Sequence, residues 1–233
     1  NCRNSNILIE GCKKDDLEQK YYSDKKYVQS EKIRVIAFWE KEYPQLLLQT
    51  ADFPLLLFVK GNEALLQQRS IAVVGTRKVT SYGTMVTKKL TTELVEYGYT
   101  IVSGCMYGVD ALAHTQALES QGNTIAVLGY GFGSQVPVQA QLLQEQIIAG
   151  GGCVITEYLP FTPPTKGTFP ERNRIVAGLS LGVLVTEAAL KSGTHITAEC
   201  ALEAGREVFA VPGSIFNPFS QGTTYLLNQG AYL

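Results

Sequence analysis

The chain lacks an overall charge. Lys and Arg number 20 against 21 Asp and Glu, a net of −1, so no global basic field draws it to a polyanion and such a site must be a local patch. It also lacks a run of about 18 apolar residues and an opening signal peptide, which reads as soluble, cytosolic and free of membrane contact. There are two histidines, His114 and His195, too few for a His-rich metal centre. The five cysteines, at positions 2, 12, 105, 153 and 200, are odd in number and form no C-x-x-C pair. That argues against a disulfide framework and a zinc site alike, and Cys153, opening an apolar run, reads as a small buried hydrophobe. The first residue is Asn1, not Met, which suggests a fragment.

Several catalytic signatures are missing as well. No G-x-x-x-x-G-K-[ST] loop is present, which disfavours ATP hydrolysis of the P-loop kind. No G-x-S-x-G elbow appears and no Ser–His–Asp order is compelling. The first glycine turn offers Gly75 and then Gly83, not G-x-G-x-x-G, which speaks against a dinucleotide. No cofactor is expected.

What is present is a globular composition, 45% hydrophobic and 18% charged over 233 residues, enough for one large domain and an appendage. Residues 1 to 65 read as an N-terminal extension whose mixed charges suggest a solvated helix face, followed by a lead-in broken by Pro44 and Pro54. The regular part spans 66–233. Strand-like runs begin near Ile71, Thr100, Thr124, Cys153, Gly182 and Glu207, recurring at roughly the 25 to 30 residues of a strand-plus-helix crossover. Helical patterns fall between them over Tyr82–Tyr97, Asp110–Ser120, Val138–Ala149, Glu171–Ser180 and His195–Ala204, the first with Val86, Leu90 and Leu94 on one face. This alternation predicts a Rossmann-like, doubly wound α/β fold with a mostly parallel sheet and a small N-terminal extension.

In such a sheet the loops after the strands share one rim. They carry Gly75, Thr76, Arg77 and Lys78; Ser103, Gly104, Tyr107 and Asp110; Gly129 to Ser134; Lys166 and Phe169, leading into Arg172, Asn173 and Arg174; and Lys191, Ser192 and Gly193. Glycines let a backbone approach phosphate, cations neutralise it, and rings offer flat surfaces to unpaired bases. The bland readings are turn glycines at 104 and 108, a helix cap at Asp110, a packed His114, a polar contact at His195 and ordinary surface arginines at 172 and 174.

The stretches Val-Gly-Thr-Arg77, Ser103-Gly104 to Gly108-Val-Asp110-Ala-Leu-Ala-His114, Phe169-Pro-Glu-Arg-Asn-Arg174-Ile-Val-Ala-Gly178-Leu-Ser180, and Ser192-Gly-Thr-His-Ile-Thr197 to Gly205…Pro-Gly213 together resemble the DprA/Smf family of bacterial DNA-processing proteins. The likeness runs over about residues 33 to 233, in order. It implies a Rossmann-like domain that binds and protects single-stranded DNA without transforming it, helps load the recombinase RecA, and is commonly a dimer. Carried over by motif, Arg77, Lys166, Phe169, Arg172, Asn173 and Arg174 match positions expected at the DNA pocket. The chain departs from the family where Tyr107 stands at an often basic position. In the third loop, acidic, Tyr-Pro and Asn features appear as Gly133, Val136-Pro137 and Ala140. The rival reading is a nucleotide phosphoribohydrolase, for which Ser192-Gly-Thr and Glu199 would supply the loop and the glutamate, and a third is a protein-interaction scaffold.

Overall fold

The structure, a computed structural model, describes residues 14–233. A helix, α1 (Lys14–Ser30), precedes a short strand β1 (Arg34–Ala37), the one-turn α2 (Gln45–Leu48) and β2 (Leu56–Gly61). Then come β3 (Ser70–Val74), α3 (Ser81–Glu96), β4 (Thr100–Ser103), α4 (Val109–Glu119), β5 (Thr124–Val127), α5 (Val138–Ala149), β6 (Cys153–Thr156), α6 (Thr168–Gly178), β7 (Gly182–Val185), α7 (Thr194–Glu203), β8 (Glu207–Ala210) and α8 (Gln221–Asn228). Among the described residues, eight strands form one sheet in the order β1-β2-β6-β5-β4-β3-β7-β8. From β6 to β8 every pairing is parallel, and β1 and β2 join antiparallel at one edge. The expected fold class is the observed one.

The parallel strands are nearly all apolar because both faces are covered. Along β3 the side chains alternate: Ala72 and Val74 enter the core shared with Ile175, Val176, Ala198 and Leu226 of α6, α7 and α8, while Val73 packs under Val109, Ala113 and Ala117 of α4. Cys153 is fully buried at the head of β6, as expected. The lead-in is part of the same sheet, for Phe58 and Val59 of β2 pair with Thr156 and Ile155 of β6. The division expected near residue 65 is therefore crossed by sheet hydrogen bonds.

Val86, Leu90 and Leu94 lie on α3, as expected, though smaller side chains are the most buried part of that helix. Its fully buried positions are Gly83, Thr87 and Thr91, and Val86, Leu90 and Leu94 are only half-buried. Small side chains let this helix lie close to the sheet, and the Thr87 and Thr186 hydroxyls join at 2.8 Å. Asp110 is not the cap of α4; that position is Gly108, at φ +92°, where a Cβ would stand 2.4 Å from the Thr76 carbonyl oxygen. The helix expected from Glu171 starts three residues earlier, with Pro170 in its first turn, where its missing N–H is no loss.

Candidate functional site

The chain after β3 turns to one side of the sheet, towards β4, and β7 lies on the other. A crevice opens above this reversal, at the carboxyl ends of the strands. Val74 to Arg77 line one wall, Ala189 and Lys191 to Thr194 the other, and Gly104, Tyr107, Asp110, Phe169, Arg172 and Asn173 close it, enclosing about 370 Å³. A second, larger and mostly apolar cavity of about 850 Å³ adjoins it, lined by Cys105, Tyr130, Val136, Pro137, Ala140, Leu143 and Lys166. Arg77, Tyr107 and Phe169 border both. They form the ridge between a polar pocket and an apolar one.

The ridge is built on Arg77. Its guanidinium carbon stands 5.6 Å from the Tyr107 ring centroid and 5.9 Å from that of Phe169, within cation–π range of each. At position 107 a cation would repel Arg77, whereas the tyrosine holds it. Thr76 beneath is buried: its N–H donates to the Glu187 carbonyl at 2.7 Å and its hydroxyl accepts from the Lys78 N–H at 3.1 Å. Arg77 and Lys78 are thereby turned out to solvent.

Glu187, which sequence reasoning did not single out, organises this corner. It is buried, and its carboxylate accepts from the Thr80 hydroxyl at 2.6 Å, the Thr80 N–H at 2.9 Å and the Asn217 amide at 3.2 Å. Its place two residues past an apolar strand was the available signal, because a carboxylate there has to be consumed by nearby N–H and O–H groups.

The arginines of α6 part company. Arg172 is buried, and one of its nitrogens donates to the Gly104 and Val127 carbonyls, tying the ends of β4 and β5 to the helix. Burial lowers its pKa, opposed by the charge of Asp110, and burial likewise raises the pKa of Asp110 against the pull of Arg172. Gly104 is required here: a Cβ would lie 2.5 Å from Arg172 Nη2 and 2.6 Å from Asp110 Oδ2. Arg174 is not brought to either cavity. It is held by Glu157 at 2.6 and 2.7 Å and by Asp52 at 2.9 Å, on the other side of α6.

Ser103 is likewise absent from the crevice wall, fully buried with its hydroxyl on the Val73 carbonyl at 2.7 Å. Asn173 does line it, and its amide reaches the Gly193 carbonyl at 3.4 Å. Ser192 accepts from the Thr194 N–H at 3.2 Å and shapes the start of α7. Gly75, Thr76, Arg77, Gly104, Tyr107, Phe169, Arg172, Asn173, Lys191, Ser192 and Gly193 are thus brought to one crevice, with Lys166 in the adjoining cavity. Cations, glycine backbone and half-exposed rings on one rim suit an anion joined to a flat apolar group.

The two histidines stand apart from it. His114 is fully buried, its Nδ1 2.7 Å from the Thr124 hydroxyl. That hydroxyl donates its only proton to the Ile101 carbonyl at 2.8 Å, so Nδ1 carries the hydrogen. Burial pushes the His114 pKa down to about 3, helped by Arg172. His195 Nε2 meets the Ala189 carbonyl at 3.2 Å, and its ring is edge-on to Tyr225. Glu199, the glutamate of the phosphoribohydrolase reading, is exposed on α7 and lines neither cavity. Among the described residues no cluster of three His, Cys, Asp or Glu has metal-holding geometry, and no helix is long and apolar enough to cross a membrane.

The fold and this crevice define a class: doubly wound α/β domains that bind a ligand at the topological switch point. Within it, residues 34–233 match the model of the family described as DNA recombination-mediator protein A, and the chain belongs to that family. It is 46% identical over 191 residues to protein Smf of Escherichia coli, covering 82% of this chain and 51% of that protein. To the DNA processing protein DprA of Bacillus subtilis it is 44% identical over 200 residues, 85% of this chain and 67% of that one. The chain thus spans from half to two thirds of the length of these relatives. The crystal structure of DprA from Streptococcus pneumoniae superposes with a TM-score of 0.86 at 39% identity, covering 100% of this chain and 79% of that one. DNA processing protein A of Helicobacter pylori, described by its single-stranded DNA binding mode, superposes with a TM-score of 0.76 at 31% identity over 87% of this chain and 91% of that one.

Proposed function

We propose that this chain binds single-stranded DNA along the crevice at the switch point and protects it without transforming it. The reading extends to handover of the strand to the recombinase RecA during homologous recombination of incoming DNA in natural transformation, by a cytoplasmic homodimer. The observation that carries it is the ridge: Arg77 flanked by the Tyr107 and Phe169 rings, between a polar and an apolar cavity. Phosphate is assigned to Arg77, Lys166, Lys191 and the loop amides, and bases to the rings. What further supports it is the likeness to the H. pylori protein and its single-stranded DNA binding mode.

The contacts are electrostatic and stacking in kind, so affinity should fall with salt and depend little on sequence. A titration of labelled single-stranded against double-stranded oligonucleotide at two salt concentrations tests this. Preference for the single strand, weakened by salt, supports the reading, and equal or absent binding overturns it. Handover is tested by RecA filament formation on DNA coated with a single-strand-binding protein, with and without this chain.

A further inference from the structure

The N-terminal helix offers a second surface. As the mixed charges along α1 suggest, most of its described side chains are exposed, and the helix is seated on the rim through Tyr27. The Tyr27 hydroxyl donates to the Phe132 carbonyl at 3.0 Å and its ring lies 5.0 Å from that of Phe161. Lys60 adds a clamp, 2.8 Å from Glu31 and 5.3 Å from the Phe132 ring centroid. Phe132 and Phe161 belong to the two loops that also supply Tyr130, Val136, Pro164 and Lys166 to the apolar cavity. The helix is therefore seated against the same two loops that line the apolar cavity.

What it presents there is aromatic and basic. Tyr21 is 59% and Tyr22 65% exposed, their rings 5.6 Å apart, and Lys25 Nζ lies 5.8 Å from the Tyr21 ring. Lys20 and Lys26 are exposed beside them; among the helix residues whose side chains are described, Glu18 is the one exposed carboxylate and Asp24 is buried. Phe161, packed against Tyr27 of this helix, is 48% exposed. Its ring lies over Gly133, whose Cβ, were there one, would be 2.7 Å from it. Two exposed tyrosines in sequence on one helix, backed by lysines, are what a sequence-tolerant single strand stacks upon.

We infer that α1, through Tyr21, Tyr22 and Lys25, with Phe161 as the intermediate ring, is a second stretch of the single-stranded DNA track, engaged only by strands long enough to leave the crevice past Lys166. This rests on the single-stranded DNA reading of the crevice. The test uses fluorescence anisotropy with oligothymidylates of about 4 and about 16 nucleotides, the ends of the range of single-stranded site sizes. The substitutions Tyr21→Ala with Tyr22→Ala, and separately Lys25→Glu, fall on exposed helix positions and leave the core intact. The double substitution should weaken the long oligonucleotide about tenfold or more, as expected for lost stacking, and leave the short one unchanged. Lys25→Glu should weaken the long one at low salt alone. Wild-type affinity of the double variant for both lengths, or equal loss on both, overturns the inference and leaves the crevice reading standing. Failure of the unaltered chain to bind either length overturns both.

Discussion

Arg174 grips Glu157 through two parallel hydrogen bonds, Nη1 to Oε1 at 2.7 Å and Nη2 to Oε2 at 2.6 Å. Burial works against its charge, but the hydrogen bonds and charges of Glu157 and Asp52 outweigh it and raise its pKa. This arginine pins α6 to the loop after β6. Arg174→Ala should therefore cost roughly 2–3 kcal/mol of stability, between an exposed and a fully buried pair, while the folded variant keeps its oligonucleotide affinity. Urea unfolding and anisotropy on the same preparation separate the two effects.

Phe169 is a ridge residue and partly a packing one, with its ring 6.5 Å from that of Tyr130. Phe169→Ala should weaken single-stranded DNA binding by about 1–3 kcal/mol, the worth of one stacked base. Unchanged affinity together with lowered stability would assign the ring to the core alone.

Gly104→Ala introduces a methyl group into the space held by the Arg172 guanidinium and the Asp110 carboxylate. Arg172 has little freedom to yield, since it is bound to two carbonyls. The substitution should cost about 1–3 kcal/mol of stability, as for overpacking, and lower affinity by displacing the crevice floor. Denaturant midpoints and anisotropy check both.

His114 gives a pH prediction. Its folded pKa, near 3, lies below the ordinary 6.5, so between these values the unfolded chain binds more protons. Stability is then fully present above about 6.5 and is lost as pH falls towards 3, at up to about 1.4 kcal/mol per pH unit. Asp110, with its raised pKa, acts in the opposite sense, so the comparison must be between wild type and His114→Gln. Chemical denaturation from pH 7 to pH 4 should show a shallower loss in the variant.

The sheet was legible because parallel strands buried on both faces spell short apolar runs, and six of them stand where the sequence placed them. The crevice followed from that topology. Arg172 and Arg174 sit in one motif but leave α6 on opposite faces, because two residues on a helix turn through about 200°, and the motif alone does not show this. Ser103 looked like a loop hydroxyl, yet it ends a fully buried strand. The stacking of Tyr107 and Phe169 on Arg77 joins two loops to the first turn of α6 and leaves no local pattern. Nor does the seat of α1, which is fixed by Tyr27 across more than a hundred residues of chain.

The most direct test is the salt dependence of single-stranded DNA binding with and without the rim cations. Three phosphate contacts, from Arg77, Lys166 and Lys191, predict a slope of log affinity against log salt of about −2, from roughly −0.7 per contact. Replacing all three by alanine should flatten it nearly to zero and remove most of the affinity at low salt. An unaltered slope in the triple variant would contradict the account, since the strand would then be neutralised elsewhere on the molecule.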